Sequence, residues 1–266
     1  MNVHASLPEP LTDRPVSSHN EWDPLEEIIV GRLEGSTIPS DHPVVTCNIP
    51  GMAARAQALA AGFRFPSFMI EPAQQELDNF VKVLEQLGVK VTRPDAYPHK
   101  RKFSTPDWSS SGFCNSCPRD SMLVIGDEIL ETPMAWPCRY FETHSYRTIL
   151  KDYFRRGARW TSAPKPELKD ELFDPNFKLP EKGEPIRYIL TEFEPVFDAA
   201  DFFRCGRDIF VTRSNVTNAM GIDWLRRHLG EGYRVHEIKS RCPNPMHIDT
   251  TILPLGPGKL LINPEY

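Results

Sequence analysis

Apolar and polar positions run through this chain in a recurring order of strand and helix periods. Glu26–Val30 (EEIIV) reads as a short strand closed by Gly31. Residues 35–68 are rich in Pro, Gly and Ala without clear alternation. They read as a long insertion with a weak helix near Met52–Ala61. Pro72 at a first-turn position predicts the opening of a firm helix. Leu77, Val81, Leu84 and Leu87 recur at helical spacing, and Gly88 supplies the left-handed stop. Val89–Thr92 follows as a strand. The order then returns. Met122–Ile125 is a buried strand, Gly126-Asp127 a tight turn and Glu128–Glu131 the hairpin partner. A helix is predicted from about Arg139 to Phe154, with Phe141, Tyr146, Ile149, Leu150 and Tyr153 mostly on one side. Residues 163–187 hold many Pro, Lys and Glu and predict an exposed loop. A third round starts at Phe197, with a strand Asp208–Thr212, a helix Ala219–Leu229 and a strand Tyr233–Ile238. A strand pair follows near Thr250–Leu253 and Lys259–Ile262.

The recurring strand–strand–helix–strand order predicts an α/β or α+β fold. Its units cannot bury their apolar faces alone and must pack side by side. No exact repeat of sequence accompanies the pattern. Residues 1–19 are expected to be a disordered tail, and 20–266 one domain. A chain of 266 residues, 40% hydrophobic and 25% charged, can bury a sizeable core. Its 31 basic and 36 acidic residues give a net charge of −5, which offers nucleic acid or anionic membrane no reason to bind. No apolar run approaches the roughly 20 residues that span a bilayer. Met1–Arg14 has neither an apolar signal core nor an Arg-rich amphipathic stretch. The six cysteines are scattered, which points to a reducing compartment such as the cytoplasm. Cys114-x-x-Cys117 lacks a second pair and reads as two ordinary thiols, so no metal or cofactor is expected.

Three clusters sit at element ends, where α/β proteins place their sites. They are Pro118-Arg119-Asp120, the stretch Phe197–Asp208 containing Asp198 and Asp201, and Met246–Asp249. Asp198 lies among Pro195, Val196, Phe197, Ala199 and Ala200, so its carboxylate must be paired or hydrogen-bonded. His247 and Asp249 are two apart. In an extended segment they point to one side. Converging carboxylates can hold a planar guanidinium, and a histidine beside one can pass protons near neutral pH. Taken alone, Asp120 and Asp198 read more often as turn or cap residues and His247 as a structural histidine.

Seven stretches in order carry a family likeness. They are VSSHNEWDPLEEIIVGR (Val16–Arg32), TPDW (Thr105–Trp108), CPRD (Cys117–Asp120), ETPMAW (Glu131–Trp136), KDYFRRGARWTSAPKP (Lys151–Pro166), EFEPVFDAADFFRCGRDIF (Glu192–Phe210) and YRVHEIKSRCPNPMHID (Tyr233–Asp249). On these the chain resembles the glycine amidinotransferases, a family that includes the creatine-pathway enzyme and bacterial inosamine-phosphate amidinotransferases. The likeness implies a pentein-type α/β propeller, with about three of five modules present and the domain incomplete at its C-terminal side. It implies transfer of the amidino group of L-arginine to glycine or another primary amine through an amidino-cysteine, giving guanidinoacetate and ornithine when glycine accepts. Asp198 and His247 fall on the catalytic acid and histidine, and Asp120 and Asp249 on carboxylates that hold the guanidino group. The family's nucleophilic cysteine lies in a Gly-Gly-x-x-His-Cys stretch near its C-terminus, which these 266 residues lack, so the chain alone is expected to be inactive. Pro137-Cys138 also departs from the Arg-Ser usual in relatives. The complete enzyme is compatible with a homodimer, and a eukaryotic source would point to mitochondria. The rival readings are a deiminase-like hydrolysis on the same fold and a non-catalytic guanidino-binding fragment.

Overall fold

The computed structural model describes residues 14–266 apart from Pro50 and Lys182. In chain order its elements are β1 (Glu27–Ile29), α1 (Pro43–Thr46), α2 (Gly51–Ala60), α3 (Ser67–Gln86), β2 (Lys90–Thr92), β3 (Phe103–Ser104) and β4 (Ser109–Ser110). Then come α4 (Pro118–Ser121), β5 (Met122–Ile125), β6 (Glu128–Glu131), α5 (Arg147–Arg155) and β7 (Arg159–Ser162). The last group is β8 (Phe202–Cys205), β9 (Asp208–Thr212), α6 (Ala219–Leu229), β10 (Arg234–Ile238), β11 (Ile252–Gly256) and β12 (Lys259–Ile262).

Two modules have the same wiring. β5 pairs antiparallel with β6, and β6 pairs parallel with β7 after the α5 crossover. β8, β9, α6 and β10 repeat this. Each hairpin turns on a glycine with positive φ, Gly126 at 58° and Gly206 at 68°, as a two-residue loop requires. β1 and β2 pair parallel around α3, and β11 pairs antiparallel with β12. This is the pentein-type α/β arrangement expected above: three modules and the hairpin of a further one. The core sits between modules. Leu123, Ile125 and Leu130 of one pack with Phe197, Phe202, Ile209, Val211, Ile222 and Leu225 of the next.

Several expectations are corrected. α3 opens at Ser67, after Pro66 as its cap, and Pro72 lies inside it. Pro72 cannot bond the Phe68 carbonyl, but Phe68 is exposed, so water can serve that group. The stretch from Arg139 to Tyr146 is not α-helix. It forms two 3-10 turns, Pro137–Arg139 and Glu142–Tyr146, ahead of α5. Ser145 Oγ donates to the Glu142 carbonyl and competes with helical pairing there. β7 and β8 were not foreseen. The 163–187 stretch is not simply exposed: Leu168, Leu172 and Phe173 are buried in one cluster with Ile189 and Leu190. Of the expected tail, residues 1–13 lie outside the described residues. Residues 14–19 are docked, with Val16 buried and Ser18 exchanging backbone hydrogen bonds with Gly126.

Candidate active site

Each chemistry-bearing residue stands just before the first strand of a module. Asp120 is in the single turn α4, directly ahead of β5. Asp198 caps a 3-10 turn, Ala199–Asp201, that runs into β8. His247 caps another, Ile248–Thr250, ahead of β11. Side-by-side packing of the modules brings the three together. Two carboxylate oxygens and an imidazole nitrogen lie within 4.8 Å of one another.

Backbone anchors hold the set. Thr132 Oγ1 donates to the Asp120 carbonyl at 3.1 Å. The Asp198 amide donates to Thr217 Oγ1 at 3.1 Å. Thr250 Oγ1 donates to the His247 carbonyl at 2.9 Å. His247 has φ 66° and ψ 136°, a conformation that L residues rarely adopt and that persists only where its surroundings impose it.

The ring of His247 lies between two carboxylates. Nε2 is 3.3 Å from Asp198 Oδ2, and Nδ1 is 3.9 Å from Asp120 Oδ1. Burial disfavours the imidazolium, but the Asp198 hydrogen bond and charge, with Asp120 and Asp201 behind, raise its pKa to about 9. Burial lifts Asp198 above the usual carboxylate range although His247 and Arg139 pull it down. Burial likewise pushes Asp201 up to about 7, against His247 and the hydroxyls of Ser214 and Thr217.

Sequence reasoning missed Arg139 and Glu142 as site residues. Arg139 Nη1 is 2.9 Å from Asp120 Oδ2 and 3.7 Å from Asp198 Oδ2. Its Nε and Nη2 donate to the two Glu142 oxygens at 2.6 and 2.7 Å. Both side chains are almost wholly buried, in a stretch that the sequence marked only as the start of a helix. No signal in the chain shows that the β5–β6 hairpin folds Arg139 back onto Asp120.

Asp249 is not brought into this cluster. The segment after His247 turns instead of extending, and Asp249 is exposed on that turn. Five of the thiols are not poised for attack. Burial pushes Cys47, Cys114 and Cys138 up to about 12. Burial raises Cys117 too, with Asp120 adding to it, and burial raises Cys205 beside Glu21. A metal ion could use Asp120, Asp198 and His247, but Arg139 already places a positive charge against both carboxylates.

No family model matches the chain. Among curated proteins, the mitochondrial glycine amidinotransferase of Danio rerio is 45% identical over 275 residues, covering all of this chain and 64% of the relative. This chain therefore spans a little under two thirds of that relative's length. The L-arginine:L-lysine amidinotransferase of Pseudomonas savastanoi pv. phaseolicola is 48% identical over 251 residues, covering 94% of the chain and 69% of the relative. Among solved structures, SxtG, an amidinotransferase from Microseira wollei in the saxitoxin biosynthetic pathway, superposes with a TM-score of 0.90 at 53% identity. That match covers 94% of this chain and 72% of the other.

Proposed function

This chain belongs to the amidinotransferase family, and from that premise we propose that its cluster takes the guanidino group of L-arginine for transfer to a primary amine. One observation carries the reading. Arg139 takes one oxygen of Asp120 and one of Asp198, and leaves Asp120 Oδ1 and the buried, unpartnered Asp198 Oδ1 to receive the N–H groups of a planar donor.

In the proposed reaction a cysteine thiolate attacks the guanidino carbon. The family's Gly-Gly-x-x-His-Cys stretch is not among these 266 residues, so the steps assigned here are those of the acid, base and binding groups. His247 is an imidazolium at neutral pH and gives its proton to the departing ornithine nitrogen as the C–N bond breaks. The neutral ring then takes a proton from the acceptor amine as it adds to the amidino carbon. The C–S bond breaks and the thiolate leaves. Asp198 holds the ring and its charge, and Asp120 binds the guanidino group. Asp249 is proposed as a further substrate carboxylate only for a ligand that reaches past His247. Glycine is the proposed acceptor, giving guanidinoacetate and ornithine. The zebrafish relative is named for glycine and the bacterial one for L-lysine. We propose the cytoplasm as the compartment, or mitochondria for a eukaryotic source, and a homodimer for the complete enzyme.

The test uses a protein that carries this chain together with the cysteine stretch. Incubated with L-arginine and glycine it should yield ornithine and guanidinoacetate. Citrulline formed without glycine would mean hydrolysis and would overturn transfer. Asp198→Asn and His247→Asn should each lower kcat by roughly 10²–10⁴-fold, the usual worth of positioned acid–base groups. A variant with near-normal kcat removes that residue from the mechanism.

A further inference from the structure

Arg139 does more than neutralise its neighbours. Its rear edge is clamped by both oxygens of Glu142, so the guanidinium cannot swing out. Its front nitrogen, Nη1, faces Oδ2 of both Asp120 and Asp198. Each aspartate thus gives one oxygen to Arg139. The other oxygen of Asp198, Oδ1, is buried without any hydrogen-bond partner. The other oxygen of Asp120, Oδ1, meets only the His247 ring, at 3.9 Å. A buried acceptor left unmet is unfavourable, and an incoming N–H donor removes that penalty.

We propose that Arg139 is a positioning residue: anchored by Glu142, it fixes the rotation of Asp120 and Asp198 so that one oxygen of each stays free for the substrate guanidino group. Only a planar fork can do this. A lysine ammonium keeps the charge but cannot meet Glu142 at two atoms and the aspartates at a third. The groups facing the pair are Glu142 from the 3-10 turn, Asp201 beside Asp198, His247, and the protonated thiols of Cys114 and Cys117. The inference rests on the reading that this site takes a guanidino group, and the test separates the two.

The probe is agmatine, which carries the guanidino group without a carboxylate. Its affinity for the 266-residue chain is measured by calorimetry between pH 5 and 8, for the wild type, Arg139→Lys and Arg139→Met. Arg139→Lys should bind at least tenfold more weakly with the acid limb of affinity unmoved, because charge is kept and geometry lost. Arg139→Met should bind more weakly still, with that limb shifted up by about one pH unit. Without the cation, Asp198 protonates at a higher pH. A second readout needs no ligand. The His247 ring is titrated by NMR in Arg139→Lys, where loss of an oriented Asp198 should lower its pKa by at least one unit. A variant that merely loses thermal stability, with Kd within twofold of wild type and an unchanged His247 titration, overturns the proposal. A wild type that ignores agmatine removes the guanidino reading, and an unchanged His247 titration then still decides against Arg139 as the positioning residue.

Discussion

At His247 two effects oppose each other, and the sum makes a measurable prediction about pH. The ring titrates near 6.5 in an unfolded chain and at about 9 in the fold. Its stabilising contribution is therefore complete below pH 6.5 and disappears as pH rises through 9. The gap corresponds to a change on the order of 3 kcal/mol. Urea unfolding of the wild type should show this loss between pH 6.5 and 9 relative to His247→Asn. Taking the difference between the two proteins cancels Lys165, which titrates at about 8 in the same window, and retains the response of Asp201, at about 7, because that carboxyl is coupled to His247. Parallel profiles would mean that the imidazolium is not held as described. Asp198 was legible in the sequence because an aspartate among apolar residues needs a partner, while the residues alone did not identify His247 as that partner. Arg139 was not legible, because its aspartate partners lie 19 and 59 residues from it along the chain.

At the scale of elements, the loop that carries Asp198 is fixed by the start of α6. Asn218 Oδ1 accepts from the amides of Gly221 and Val196 at 2.9 and 3.2 Å. Its Nδ2 donates to the carbonyls of Thr191 and Glu194 at 2.8 and 2.7 Å. A simple N-cap is worth about 1 kcal/mol, but here buried groups of two segments are orphaned together, so Asn218→Ala should lose about 2–4 kcal/mol. Gly221 allows the close approach. A Cβ there would stand 2.2 Å from the Val196 carbonyl oxygen. Gly221→Ala should thus destabilise by roughly 2 kcal/mol or more, although alanine is the better helix former by about 1 kcal/mol. Denaturant titration of both variants checks this. An alanine at 221 that leaves stability unchanged or higher would show that helix and loop are not in contact.

For the whole molecule the surface makes the prediction. Leu253, Leu255, Leu260, Leu261 and Ile262 on the β11–β12 hairpin are 39–60% exposed. Met52, Leu59, Phe63 and Phe68 on and beside α2 and α3 are 62–90% exposed. A contiguous apolar hairpin with strand edges invites association. Light scattering after size exclusion should find the 266-residue chain self-associated at micromolar concentration. Lysine at 260, 261 and 262 should shift it toward monomer. A monodisperse wild-type monomer would count against the hairpin as a sticky surface.

The order of elements was written in local pattern. The spacing of Leu77, Val81 and Leu84, the Gly126-Asp127 turn between apolar runs, and the Ala219–Leu229 stripe each act over a few residues. Their physics is therefore present in the sequence. The same holds for the expectation that Asp120, Asp198 and His247 stand at element ends. The strands β7 (RWTS) and β8 (FFRC) escaped because neither is an uninterrupted apolar run or a clean alternation, and the buried Leu168, Leu172 and Phe173 were hidden in a polar, proline-rich run. Tertiary structure alone decided that the three element ends meet. It also turned Asp249 away, by placing His247 at positive φ and starting a 3-10 turn at Ile248. Convergence of side chains over distances of ten residues and more depends on how modules pack, and packing is a sum over many contacts that no single window of sequence contains.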